Sequence, residues 1–213
     1  MSARVGVLAV WIVGVLSPPA VTAAVTAWTD VTVRVYDGTQ MPPSDRRAAL
    51  KVASTILSAA DVEVTWRECE AGASGAGHAC DAPMARGELA IRIVRSPART
   101  ADDRVQALGD ALVDTQTGQA VLATLYVDRV QRLADAAGTD ARTLLGRTLA
   151  HELGHLLVAT SAHSTHGLMR AVWSRDEVQH GGDRDWTFTK PDIAAIRRRA
   201  RLNLIPVEAW GTK

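Results

Sequence analysis

Long apolar runs are nearly missing from this sequence of 213 residues. The one present, Val5 to Leu16, is about a dozen residues, whereas a helix spanning a bilayer needs about 20. No later stretch is long enough to cross a membrane. An excess of charge of one sign is missing too. Lys and Arg number 24 against 23 Asp and Glu, a formal net charge of +1, so no nucleic-acid footprint is expected. Gly and Ala are abundant but follow no fixed period, which argues against solenoids and propellers. Cysteine is limited to Cys69 and Cys80, flanking a Gly/Ala/Ser-rich loop. In an oxidising compartment a disulfide between them is the default. The competing reading is a metal site of Cys69, His78 and Cys80, but His78 and Cys80 are too close for the usual ligand spacings.

What is present begins with an export signal. Arg4 precedes the apolar run, Pro18-Pro19 ends it, and the small residues Ala20, Thr22, Ala23 and Ala24 follow. This is the layout of a secretory signal peptide cleaved after Ala23 or Ala24. An uncleaved signal anchor is the alternative. Residues 1–24 are therefore expected to be a signal peptide and 25–213 one globular domain, with 47% hydrophobic residues to build its core. The expected location is secreted or periplasmic, with no membrane attachment after cleavage. Signal style and Ala/Arg-rich composition suggest a bacterium. With only a short gap before the first strand, no propeptide is expected there.

Thr29 to Tyr36 alternates Val31, Val33 and Val35 with polar residues, a strand with one buried face. Pro42-Pro43-Ser44-Asp45 opens a helix with an apolar stripe of Leu50, Ala53, Ile56, Leu57 and Ala60. Val62 to Trp66 is a second strand, and the spacing fits a right-handed βαβ crossover. Glu88 to Val94, Ala107 to Val113 and Gln119 to Val127 read as three more strands, with a polar loop at 98–106. Asp128 to Ala137 reads as a short helix. Gly138-Thr139-Asp140 supplies a stop and an N-cap for a helix from Ala141 to about Val158. Residues 159–188 have no clear period and read as an ordered loop. Thr189, with Asp192 three residues on, starts a last helix with the stripe Ile193, Ile196, Ala200 and Leu204. The run Arg197-Arg198-Arg199-Arg201 reads as a solvated face.

The chemistry concentrates on His151-Glu152-Leu153-Gly154-His155, an H-E-x-x-H inside that helix. Residues four apart lie on one helix face, so the two imidazoles can grip one Zn²⁺. Glu152 sits about 100° further round. From there its carboxylate reaches a water at the metal without displacing a ligand. Catalytic zinc needs a third protein ligand and an open position. His163 is the candidate and His166 its rival. His is scarce here, at six residues, so a chance match of this kind is rare.

The residues His151, Glu152, His155, His163 and Met169 resemble the metzincin clan of zinc metallopeptidases, whose pattern is H-E-x-x-H-x-x-G-x-x-H followed by a Met-containing turn. The resemblance implies His151, His155 and His163 as zinc ligands, Glu152 as the catalytic residue, and Met169 in a turn beneath the metal, introduced by Gly167. It implies an α+β fold with a mixed, mostly parallel, twisted sheet of about five strands, an active-site helix and a C-terminal helix. Ala107 to Val113 becomes the edge strand that holds an extended peptide. Two departures stand out. Val158 replaces the family's Gly, and the third His comes eight residues after His155 instead of six. Another clan, the gluzincins, takes a downstream Glu as third ligand, and Glu177 lies at a workable distance. Some metzincins place a Tyr a few residues after the Met; this chain has Trp173.

The expected function is zinc-dependent hydrolysis of peptide bonds by a Zn-activated water, with Glu152 as general base, in a monomer acting on a peptide or protein. The alternatives are a non-catalytic secreted binding protein stapled by zinc, and a zinc amidohydrolase of non-peptide substrates.

Overall fold

A computed structural model describes residues 29–69, 80–85, 87–97 and 107–203. The expected signal peptide, His78, the 98–106 loop and Leu204 lie outside the described residues.

The chain begins with strand β1 (Thr29–Asp37), which buries Val31, Val33 and Val35 as its alternation predicts. Helix α1 (Pro43–Ser58) follows, with Pro43 at its first turn, where the missing N–H costs nothing. Strand β2 (Val62–Cys69) then runs parallel to β1, pairing Thr29 with Val62 and Tyr36 with Cys69. The rest of the sheet is β3 (Leu89–Val94), β4 (Gly109–Asp114) and β5 (Gln119–Tyr126). The strand order is β2-β1-β3-β5-β4. All neighbours are parallel except β4, which returns antiparallel to β5 and leaves its other side as a sheet edge. This is the mixed, mostly parallel five-stranded sheet that the periodicities and the resemblance predict.

Helix α2 (Val127–Ala137) ends at Gly138, which takes the left-handed conformation. Helix α3 (Ala141–Val158) starts at Asp140, whose carboxylate accepts from the Arg142 and Thr143 N–H groups. Nearly every residue of α3 from Leu144 to Leu156 is buried, the mark of a helix enclosed on all sides. It packs against α1 and across β4 and β5. Val33, Ile91 and Leu125 of the sheet share one core with Leu57 of α1 and Leu144, Leu149 and Leu153 of α3, all essentially inaccessible.

Residues 159–188 are not loop alone. They hold a short helix, α4 (Arg175–His180), and a 3₁₀ turn at Asp183–Trp186. Six residues are too few to show a helical period. The local signal was Ser174 with Glu177 three residues on, which form a reciprocal capping box. The last helix, α5 (Lys190–Asn203), opens on the expected Thr189–Asp192 pair: Asp192 accepts from the Thr189 N–H at 2.8 Å, and the Asp192 N–H donates to Thr189 Oγ1 at 3.3 Å.

Arg34 alternates with the core valines and therefore points to the opposite sheet face, yet it is only 2% exposed. Its guanidinium donates to Glu88 Oε2 at 2.6 and 2.9 Å and to the Ala82 and Pro83 carbonyls. Glu88 also accepts from Arg67 and from the Ala85 N–H. That backbone donor and the two guanidiniums hold its carboxyl below the usual range. Cys69 and Cys80 are bridged, so the strand leading into this cluster and the segment covering it are covalently joined. Replacing both cysteines with Ser, which frees a loop of sequence separation 11, is expected to cost about 2–3 kcal/mol. Denaturant unfolding of the variant measures it.

Candidate metal centre

Helix α3 carries Leu144, Thr148, His151 and His155 on one buried face, as the spacing predicts. His151 Nδ1 lies 2.9 Å from the Leu168 carbonyl oxygen, and His155 Nδ1 lies 2.8 Å from that of Thr160. A carbonyl only accepts, so each Nδ1 carries the proton and each Nε2 presents a lone pair. The two Nε2 atoms stand 3.1 Å apart. Burial pushes His151 down to about 4 and lowers His155 and His163 as well. At neutral pH two lone pairs therefore face each other inside the protein. Two nitrogens bound tetrahedrally to one zinc at about 2.0–2.1 Å are about 3.3 Å apart, so the spacing suits a shared cation.

The third imidazole comes from the chain after α3. The helix ends with Ala159 in the left-handed conformation (φ 55°, ψ 50°), one residue beyond Val158. A left-handed turn is thus made here by alanine, at some conformational cost. The Thr160 N–H then donates to the His155 carbonyl, while the Thr160 carbonyl receives the His155 ring N–H. Residues 161–163 are exposed and bring His163 back over the helix, its ring centroid 4.7 Å from that of His155 and 5.4 Å from that of His151. The donor atoms of the three histidines lie within 4.8 Å of one another, and among the described residues they form the one such group.

The rivals sit elsewhere. His166 is exposed and bonded to the neighbouring Thr165 hydroxyl. Glu177 belongs to the cap of α4 and to an ion pair with Arg170 at 2.8 Å.

Beyond His163 the chain doubles back. The Ser164 N–H donates to the Met169 carbonyl at 2.8 Å, and Gly167 takes a positive φ of 76°. The Leu168 N–H donates to the Thr187 carbonyl, which sets the Leu168 carbonyl under His151. Met169 is buried against the α3 backbone at Gly154. A Cβ there would lie 2.6 Å from Met169 Sδ and 2.7 Å from Phe188 Cε1. Trp173 stands edge-on to His151, with centroids 5.4 Å apart, and packs edge-on to Trp186. The carbonyls of Thr160 and Leu168 are the parts that no side-chain pattern announces.

Glu152 lies beside the histidines, 4% exposed, with Oε2 lacking a hydrogen-bond partner among the described residues. Burial, and then the charge of Asp110, push its carboxyl up to about 8. A cleft of about 370 Å³ opens over these groups. One wall is formed by 107–111, at the start of edge strand β4, and the other by 170–173.

Fold and site together define a mixed α/β domain with a three-histidine cluster that could hold a metal ion. No family model matches the chain, and no curated protein matches it. Among solved structures 28 chains match. One that this chain is similar to is archaemetzincin from Methanopyrus kandleri, at 15% identity, covering 84% of this chain and 99% of that chain, with a TM-score of 0.48.

Proposed function

We propose that this chain is an exported zinc-dependent peptidase of metzincin type. One observation carries the reading: two buried, neutral imidazoles with their lone pairs 3.1 Å apart, and a buried carboxyl of Glu152 beside them in an open cleft. His151, His155 and His163 would hold the ion. When bound, it supplies Lewis acidity, lowers the pKa of water toward about 7, and adds the positive charge that favours the carboxylate form of Glu152.

The chain's own groups do the rest. Thr160 and Leu168 fix the two imidazole tautomers. Glu152 takes the proton of the attacking water onto its carboxylate and later delivers it to the departing amine. The open side of β4 accepts an extended substrate by main-chain pairing, as an unpaired sheet edge can. Trp173 and its neighbours close the far wall. The expected signal peptide, read from the apolar run Val5 to Leu16, and the Cys69–Cys80 bridge support action outside the cytoplasm. Among the described residues, no helix is long and apolar enough to cross a membrane. A zinc staple alone has no use for an unpaired buried carboxyl beside the ligands, which favours hydrolysis over a purely structural site.

The test is zinc content together with cleavage of casein and a peptide library. One zinc per chain with metal-dependent cleavage is the expected result. Bound zinc without cleavage of any peptide would remove the peptidase reading.

The ligand set has its own test. His163→Ala is expected to weaken zinc binding by at least about 100-fold, while His166→Ala and Glu177→Ala keep one zinc per chain. Competition against a chromophoric chelator measures all three.

A further inference from the structure

The Glu152 side chain occupies the space that any side chain at position 109 would need. A Cβ built on Gly109 falls 2.7 Å from Glu152 Oε1, 2.8 Å from Glu152 Cγ and 2.8 Å from the Thr124 carbonyl oxygen. Contacts under 3.0 Å are essentially never made by real Cβ atoms. Gly109 is the first residue of β4, is buried, and pairs with Leu125 of β5. Its neighbours on the strand are therefore held in register, and its bare Cα is what meets α3.

Glu152 needs such a wall. Its Oε2 has no hydrogen-bond partner among the described residues, so packing holds that end of a side chain with three rotatable bonds. We propose that Gly109 is a positioning residue: the bare Cα at the start of the edge strand is the seat that holds the Glu152 carboxylate beside the three histidines. The inference rests on the reading of Glu152 as the base. It adds that the strand bordering the substrate also sets the aim of the proton acceptor, so strand position and base position are linked through one atom.

A methyl group at 109 must push the carboxylate by several tenths of an ångström or more, and misplacement by about 1 Å can cost about 100-fold in rate. Gly109→Ala is therefore expected to lower kcat on a cleaved peptide by about 10- to 100-fold. KM should stay within about twofold, and zinc should remain at one per chain.

A second measurement needs no turnover. In the metal-free protein the drop in thermal midpoint caused by Gly109→Ala is expected to shrink by about half or more when Glu152→Ala is already present, because the truncated side chain vacates the seat. The Thr124 contact accounts for what is left. Should Gly109→Ala alone fail to fold, recovery of folded protein in the Gly109→Ala/Glu152→Ala pair carries the same meaning, and failure to recover overturns the seat. An unchanged kcat, or equal thermal penalties in both backgrounds, also overturns it. Coupling between the two positions in a protein that cleaves nothing supports the seat and removes the hydrolase reading instead.

Discussion

Glu152→Gln is expected to abolish hydrolysis and, at the same time, to make the metal-free protein more stable. The loss of activity follows from the proposed role of Glu152 as proton acceptor; general bases contribute about 10²- to 10⁴-fold, so turnover should fall by about a thousandfold or more. Zinc content should not change, because the proposed ligands His151, His155 and His163 are untouched. The gain in stability follows from burial. In the folded metal-free chain the Glu152 carboxyl is raised from an ordinary 4.5 to about 8. A carboxyl raised on folding contributes its full stability below 4.5 and loses it as pH rises through about 8. Across that window the penalty is on the order of 4 kcal/mol. Gln carries no charge to bury. The thermal midpoint of metal-free Glu152→Gln at pH 8 should exceed that of the wild type by about 5 °C or more. The advantage should vanish near pH 4.5. Equal midpoints at pH 8 would mean that Glu152 is not held in the desolvated position described.

Chelation is the second large effect, and its pH dependence has the opposite sign. Zinc that binds only the folded chain stabilises it by about 4 kcal/mol once free zinc exceeds its Kd about a thousandfold. Stripping zinc at pH 7.5 should therefore lower the thermal midpoint by about 8 °C or more, and adding zinc back should restore it. His151 is lowered on burial from 6.5 to about 4. An imidazole lowered on folding keeps its full stability above 6.5 and loses it as pH falls through 4. Over that range it costs the metal-free protein on the order of 3 kcal/mol. The same low value means that protons hardly compete with zinc at His151 until pH approaches 4. Zinc binding also draws the Glu152 carboxyl down from about 8, so the zinc-dependent part of the midpoint should shrink as pH falls from 7.5 toward 6 and fade further in more acidic buffer. A midpoint indifferent to chelator at pH 7.5 would speak against a resident ion.

The elements that position the site were readable because their signals are local. Asp140 marks the start of α3, and the apolar spacing through Leu144, Leu149 and Leu156 carries it to Val158, where the structure also ends it. Alternation in β1 and the Thr189–Asp192 pair at α5 were equally plain. Choosing among His163, His166 and Glu177 was harder, because the return path after Val158 depends on Ala159 adopting a conformation that alanine seldom takes. Contacts between distant residues were not readable. Gly109 and Glu152 meet only because β4 folds back along β5 beneath α3. Arg34 has the alternation of a solvent-facing residue, and only Glu88 and the Ala82 and Pro83 carbonyls laid against it make it a buried ion-pair centre.

The stretch from Thr160 to Leu168 supplies three things at once: the carbonyl that orients His155, the carbonyl that orients His151, and His163 itself. Opening that stretch would free both rings to rotate and would withdraw one donor in the same motion. On the proposed ligand set, release of a bound cation and local melting would be one cooperative event, and the off-rate of the ion would report how often this short span of backbone breathes.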